Sequence, residues 1–181
     1  MLKKILIALV VIVIVFVIIV ATRPADFRIT RSTTIAAPPE FVFAQVNDLH
    51  RWDAWSPWAK LDPNMKQTHE GAAAGVGAVY SWEGNKEVGA GRMTITDSTT
   101  NELIRIKLEF LKPFAAVNTT EFTFKAADAN GQKTEIVWAM SGKNGFMSKA
   151  FCLFMDMDKM VGSDFEKGLA SLKTLAETTA K

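Results

Sequence analysis

Residues 157–175 read MDKMVGSDFEKGLASLKTL, and this segment limits the folds that the chain can adopt. A helix turns by about 100° per residue, which places the apolar side chains of the segment on one stripe and its lysines away from it. The stripe consists of Val161, Phe165, Gly168, Leu172 and Leu175. A long helix with one apolar face has to cover an apolar partner, so the rest of the chain must supply a matching surface.

Residues 65–141 supply that surface. Their apolar side chains alternate with polar ones, the pattern of strands that bury one face. Short turns separate the strands, and Asn130-Gly131 is a pair typical of tight reversals. The pattern predicts an antiparallel meander whose apolar face meets the C-terminal helix. The positions that we expect to face inward are Tyr80, Trp82, Met93, Ile106, Leu108, Phe122, Phe124, Trp138 and Met140.

Shorter elements precede the meander. Residues 27–35 alternate in the same way and predict a first strand. Pro38-Pro39 is typical of a helix start and opens a short helix that we expect to end near residues 47–48. An irregular turn rich in aromatic side chains follows, and it carries Trp52, Trp55 and Trp58.

The N-terminus is an unbroken apolar run over residues 5–21, flanked by Lys3-Lys4 and Arg23. Its length, roughly 17 residues, is that of the shortest helix that crosses a bilayer. The run exceeds the roughly 7 to 15 apolar residues of a cleaved signal peptide, which favours a retained single-pass anchor. We therefore expect an anchor over residues 1–22, a linker over 23–26 and one domain over 27–181.

The orientation of this anchor is less clearly encoded, because basic residues stand on both sides of the apolar run. A short basic tail directly before the run is the usual arrangement of a signal anchor. It favours a cytoplasmic N-terminus and a domain on the extracytoplasmic, periplasmic side of the membrane.

Composition excludes several classes of function. The chain has 21 Lys+Arg and 19 Asp+Glu, and two of the lysines precede the apolar run, so the domain is formally neutral and nucleic acid is not an expected partner. Cys152 is the only cysteine, and His50 and His69 lack the spacing of a helical metal pair. We expect no metal and no cofactor, since phosphate-loop, dinucleotide and nucleophile-elbow motifs are also absent from the sequence.

Several motifs, taken with the order of elements, resemble the polyketide cyclase/dehydrase and lipid-transport superfamily, also called SRPBCC or START-like. The matching stretches are APPE and VF within residues 37–43, RW and WSPW within residues 51–58, Thr134 with Ile136 and Trp138, and GSDFEKGLASL over residues 162–172. The resemblance covers roughly residues 27–178. It implies an α+β helix-grip fold, in which a curved antiparallel sheet wraps around a long C-terminal helix and leaves a hydrophobic cavity between them.

The resemblance does not select an activity, because members include lipid carriers, hormone receptors, cyclases and chaperone activators. For the cavity wall we expect the inward positions of the meander together with Val161 and Phe165, although the same residues would also fill an ordinary core. Three alternative roles are open for the tryptophans Trp52, Trp55 and Trp58. They form the rim of a ligand site, they wedge the helical segment against the sheet, or they lie at the headgroup layer of the membrane.

Two side chains are the first choices for moving a proton, and Tyr80 is a further possible carrier. Asp164 lies about 60° from the centre of the helix stripe and either faces the cavity or pairs with Lys167, Arg92 or Arg51. His69 is the second candidate, and neither has a recognisable catalytic partner in the sequence.

Three functions remain open at this level. The leading one is a membrane-anchored binding module that holds a hydrophobic small molecule or lipid. The alternatives are a cyclase/dehydrase-type enzyme with a single acid/base group, and a protein-interaction or stress-related module. The sequence leaves the ligand and the oligomeric state undetermined.

Overall fold

The computed structural model describes residues 1–179, and its elements follow the predicted order. A 3₁₀ helix, Leu49–Ala54, lies between the second helix and the second strand. The helices and strands are α1 (Leu2–Thr22), β1 (Asp26–Ile35), α2 (Pro39–Asn47), β2 (Lys66–Gly71), β3 (Ala78–Glu83), β4 (Ala90–Thr99), β5 (Leu103–Lys112), β6 (Ala116–Ala126), β7 (Thr134–Lys143), α3 (Phe146–Phe151) and α4 (Met157–Thr179).

The seven strands form one antiparallel sheet in the order β1-β7-β6-β5-β4-β3-β2. The sheet curves around α4, which buries Phe165, Leu169 and Leu172 against it. This confirms the predicted helix-grip fold, because the apolar stripe of α4 and the inward positions of the meander cover each other.

The two ends of the sheet differ in their surroundings. At one end Asp26 pairs with Lys143, and the β3–β4 and β5–β6 turns lie beside them. We call this the proximal end, because β1 begins there directly after α1. At the other, distal end Ala126 pairs with Thr134 across the β6–β7 turn.

The distal half of the domain is solidly packed. The rings of Phe43 in α2 and Phe124 in β6 meet edge to face, with centroids 5.4 Å apart. Ile104, Ile136 and Leu172 are fully buried around them. Close packing of this kind leaves no room for a ligand at that end of the sheet.

Arg31 fastens α4 to the first strand. Its guanidinium lies 3.0 Å from the carboxylate of Asp158 and 2.7 Å from that of Glu166. Gly162 lies directly beneath the guanidinium, where any Cβ would collide with it. The glycine thus lets the arginine cross the helix and bind two of its carboxylates.

Two elements were not predicted. β2 is a polar edge strand, KQTHEG, without an apolar alternation to reveal it. The C-terminal helical region is also broken, because α3 ends at Phe151 and α4 begins anew at Met157. Asp156 marks that second start, since its carboxylate accepts a hydrogen bond from the backbone N–H of Lys159.

α1 is long and apolar enough to span a membrane, with a mean hydropathy of 3.6 over its most apolar window. Its side chains are exposed except for Phe16, which is half-buried, and Val20, which is fully buried. Three residues, 23–25, join α1 to β1. The domain therefore begins immediately beside the helix end.

Candidate ligand-binding cavity

A cavity of about 380 Å³ lies between the sheet and the N-terminal half of α4. It occupies the proximal half of the domain, since its strand residues come from the ends of β3, β5 and β7 and the start of β6. Its walls are formed by Trp52, Asp53, Ser56, Trp58, Ala59, Met65, Tyr80, Trp82, Glu87, Val88, Met93, Leu108, Phe110, Thr120, Trp138, Met140, Met160, Val161, Asp164 and Phe165. A volume of this size is within the range of small-molecule sites, roughly 300 to 1,000 Å³.

A larger depression of about 900 Å³ lies at the distal end around Pro38, Asn101 and Gln132. It is a shallow groove on the outer surface, whereas the smaller cavity is enclosed by aromatic side chains. Enclosure removes more ligand surface from water, so we take the smaller cavity as the candidate site.

Most of the expected wall residues surround this cavity. They are Tyr80, Trp82, Met93, Leu108, Trp138, Met140, Val161 and Phe165. Ile106, Phe122 and Phe124 do not, and this part of the prediction needs correction. All three are buried in the packed core, because the Trp55 ring and α2 cover the distal half of the inward face.

The three tryptophans of the segment after α2 have different roles. Trp52 lines the cavity and donates its indole N–H to the Val46 carbonyl at 2.9 Å. Trp58 lines it as well and meets the Trp138 ring edge to face. Trp55 is fully buried and lies outside the cavity wall, donating to the Gln45 carbonyl at 3.2 Å. Trp55 is thus a wedge between the helical segment and the sheet, and not a rim residue.

Tyr80 places a neutral hydroxyl at the cavity. The residue is only 8% exposed, and its hydroxyl finds no hydrogen-bond partner among residues 1–179. Burial, and to a smaller extent the nearby carboxylate of Asp53, together raise the pKa of Tyr80 to about 12. Tyr80 therefore keeps its proton at any physiological pH and can donate it in a hydrogen bond.

Two further polar groups of the wall lack partners within the described chain. Thr120 is buried on β6, and its hydroxyl makes no hydrogen bond to residues 1–179. The indole nitrogen of Trp138 is buried and equally unpaired within that range. Among these groups only the Trp138 nitrogen is a fully buried atom without a partner, and such a donor is costly, so an acceptor on a bound molecule that reached it would relieve the cost.

The charged groups of the wall are all acidic. Asp53, Glu87 and Asp164 line the cavity, and no Lys, Arg or His does so within the described part of the chain. Asp53 and Glu87 are exposed, which places them around the opening. Two of the three negative charges therefore lie where the cavity wall meets solvent.

The two proton-transfer candidates are placed differently. The Asp164 carboxylate lies 2.8 Å from the ammonium of Lys167, the surface pairing that we considered as the alternative. His69 lies outside the wall, stacked on His50 with ring centroids 4.0 Å apart and 5.1 Å from the Tyr80 ring. The structure does not bring Asp164 and His69 together in the cavity.

Sequence reasoning missed the polar members of the wall. Thr120 lies two residues before Phe122 in β6. The period-two pattern of this strand places both side chains on the inward face, and this was the signal that could have revealed Thr120. Asp53 lies in the short 3₁₀ helix, and Ser56 and Glu87 lie in turns, so no apolar periodicity in the sequence indicates their direction. Across residues 1–179 no cluster of three or more His, Cys, Asp or Glu side chains has the geometry of a metal site.

The sequence of residues 26–177 matches the family model for polyketide cyclase/dehydrase and lipid transport. The chain belongs to this family. The match starts at the first residue of β1 and ends within α4, so the helix-grip domain accounts for all of it. A search of curated proteins gave no match.

Solved structures share the fold at low sequence identity. The Zhui aromatase/cyclase from Streptomyces sp. R1128 superposes with a TM-score of 0.61 at 14% identity, covering 86% of this chain and 96% of its own. Protein SA2116 from Staphylococcus aureus gives 0.63 at 11% identity, with coverages of 87% and 97%. The Aha1 dimer from Colwellia psychrerythraea gives 0.58 at 15%, with 83% and 96%. At these identities the likeness is one of fold alone.

Proposed function

We propose that this family member is a membrane-anchored binding module that holds a small hydrophobic molecule between its sheet and α4. The observation that carries the proposal is an aromatic cavity that contains the unpaired hydroxyls of Tyr80 and Thr120. Apolar walls supply the affinity of such a site, and a few polar groups fix the orientation of the ligand.

The volume of the cavity limits the size of the ligand. About 380 Å³ corresponds to roughly a dozen water-sized groups of about 30 Å³ each. Both acyl chains of a bilayer phospholipid exceed that volume. The ligand that fits is a flat ring system or a single short chain, and the aromatic rings of Trp82, Trp138 and Phe165 suit the flat form.

The charge of the wall limits the ligand further. Asp53 and Glu87 repel an anion, while Asp164 is already paired with Lys167, and the tryptophan faces attract a cation. The ligand class that we infer is therefore neutral or cationic, with an acceptor that reaches the Tyr80 hydroxyl. Fatty-acid carboxylates and phosphate esters fit this wall poorly.

α1 supplies the membrane part of the proposal, because it is apolar along its whole length and joined to the domain by three residues. A tethered cavity meets apolar molecules at the high concentration that they reach in a bilayer. The tether thus places the binding site beside its ligand reservoir.

The test is to purify the full chain from membranes in detergent and to identify copurifying molecules by mass spectrometry. Val161→Phe fills the cavity from α4, and Val76→Phe is the matched control on an exposed loop. We expect a neutral or cationic small molecule on the wild type and on Val76→Phe, reduced several-fold on Val161→Phe. Equal recovery from all three proteins, or no bound molecule on any, would contradict the proposal.

A further inference from the structure

Large apolar side chains are exposed at the proximal end of the domain, in two neighbouring segments. One is the tip of the β5–β6 hairpin and the other comprises α3 with the residues that follow it. We call them together the proximal face, and its members are Leu111, Phe114, Val117, Phe146, Met147, Phe151, Phe154, Met155 and Met160. Phe114 and Phe154 are each 78% exposed. Exposed apolar surface on this scale marks a contact with a partner or a membrane.

The sheet register places both segments at one end. β5 ends and β6 begins at the turn over residues 113–115, beside the strand pair Asp26 and Lys143. α3 begins three residues after β7 ends at that same pair. The hairpin tip and α3 are thus the parts of the domain that lie beside the start of β1.

α1 lies directly against this face. The ammonium of Lys149 in α3 is 3.5 Å from the carbonyl oxygen of Ala21 at the end of α1. Arg23, Pro24, Cys152 and Leu153 line one crevice with that lysine. The proximal face is therefore continuous with a helix of membrane-spanning length, and this continuity identifies its occupant as lipid.

Basic side chains accompany the face. Arg23, Lys143 and Lys149 stand around it, and none of them forms an ion pair with a described residue. Lysine and arginine next to an inserted apolar surface attract anionic headgroups. The arrangement of apolar tip and basic surround is that of an interfacial membrane contact.

The cavity wall reaches the proximal face at Met160. This residue lines the cavity and is itself 43% exposed, five residues after Met155. The apolar wall of the binding site is therefore continuous with the proximal face on the α4 side.

We propose that the proximal face lies in the interfacial layer of the bilayer that α1 enters, and that the cavity opens onto this layer. The proposal rests on the anchoring in the proposed function. It adds a second contact with lipid and a route by which a ligand enters the cavity without crossing water. The domain then rests on the membrane and does not swing freely from its tether.

The test uses the full chain in phosphatidylcholine and phosphatidylglycerol vesicles that contain a lipid with a quencher on its acyl chain. Cys152 is replaced by serine, and a fluorophore is attached at Phe154→Cys, Phe114→Cys or Met160→Cys. Gln132→Cys is the control, since it lies in the exposed β6–β7 turn at the distal end. We expect about twofold or greater quenching at the three proximal sites, because an interfacial face inserts roughly 5–10 Å, and none at position 132.

Flotation of the same vesicles separates the two proposals. Protein that floats while its proximal labels stay unquenched keeps its anchor, and this result overturns the second lipid contact alone. Protein that fails to float has no anchor, which overturns both. Unquenched labels, together with crosslinking of one copy to another through the same cysteines left unlabelled, would assign the proximal face to a dimer contact and also overturn the proposal.

Discussion

The indole ring of Trp138 lies parallel to the phenyl ring of Phe165, with centroids 4.1 Å apart and planes inclined by 7°. The pair joins β7 to α4 at the boundary between the cavity and the packed distal half. Gly168, one turn further along α4, makes room for it, since a Cβ there would lie 2.8 Å from Cζ3 of Trp138. This contact sets how closely the helix approaches the sheet.

Gly168→Ala is expected to destabilise the protein. Alanine gains about 1 kcal/mol of helix propensity over glycine, but overpacking a buried ring costs about 1 to 3 kcal/mol. Trp138 is held by Phe165 and Trp58 and cannot yield easily. We expect the free energy of unfolding to fall by about 1 kcal/mol in denaturant titrations.

Gly162→Ala is the matched control in the same helix. Its Cβ would displace the Arg31 guanidinium, the end of a flexible side chain, and would weaken solvent-exposed ion pairs that contribute little to stability. The gain in helix propensity offsets this loss, so the stability should stay close to that of the wild type. If Gly168→Ala proved as stable as Gly162→Ala, the helix would not be held against Trp138 as described.

Tyr80 should ionise at a higher pH than an ordinary tyrosine. It is the only tyrosine in the chain, so the tyrosinate absorbance reports this residue alone. We expect half-ionisation near pH 12 in the folded protein, because burial and the Asp53 carboxylate both disfavour the phenolate, and near pH 10 after unfolding. The stabilisation from this raised pKa is complete below pH 10 and is lost as the pH rises through 12.

Asp53→Asn separates the two causes of the raised Tyr80 pKa, which are burial and the nearby carboxylate. The substitution removes the carboxylate but leaves the burial, so the pKa of Tyr80 should fall and still remain above its ordinary value. Glu135→Gln, on the outer face of the sheet, should leave the titration unchanged. A wild-type midpoint at the ordinary tyrosine value would show that the hydroxyl is solvated and not part of the cavity.

The acidic wall should discriminate ligands by charge. N-phenyl-1-naphthylamine is neutral, and 1-anilinonaphthalene-8-sulfonate carries the same rings with a negative charge. We expect the neutral dye to bind at least about tenfold more tightly, a difference of about 1.4 kcal/mol. Fluorescence titration of detergent-purified protein measures it, with Val161→Phe as the blank for dye in the micelle.

A double substitution tests the cause of this preference. Asp53→Asn with Glu87→Gln removes two of the three wall carboxylates and should raise the affinity for the sulfonate several-fold, with little change for the neutral dye. Glu135→Gln serves again as the control. Tighter binding of the sulfonate than of the neutral dye by the wild type would contradict the inferred ligand class.

The ion pair between Arg31 and Asp158 should make the free energy of unfolding depend on pH in the acid range. The hydrogen bond from Arg31 holds the pKa of Asp158 below its ordinary value of 3.8. Its stabilisation is therefore present above that value and is lost as the pH falls through the lowered pKa. Asp158→Asn should unfold more easily than the wild type near neutral pH, and the gap should narrow in acid. Thermal unfolding over a pH series measures this, and a constant gap would exclude the linkage.

The sequence was sufficient to predict the fold because each strand of the meander except β2 shows its buried face as an alternation. The same alternation runs through both halves of the sheet, so it marked Ile106 and Leu108 alike. Whether such a residue meets the core or the cavity depends on what covers it. Trp55 and α2 cover the distal half, and this placement is a tertiary property that periodicity does not encode.

The polar side chains of the site were harder to predict for a related reason. Asp53 and Glu87 lie in segments without a regular repeat, and their direction follows from the turns that carry them. The unpaired state of Tyr80 could not be predicted either, because a missing partner is visible only when all neighbours are placed. Local pattern therefore predicted the inward face of the sheet but not the chemistry of the cavity.

For the membrane-anchored binding module that we propose, the short connection between α1 and β1 restricts where a ligand can be delivered. Four residue steps separate Thr22 from Asp26, a span of at most about 14 Å. A domain joined to its anchor by so short a linker cannot reach across an aqueous compartment to a second membrane. Any protein that receives the ligand then has to come to this membrane surface, either along the same bilayer or from the adjacent aqueous phase.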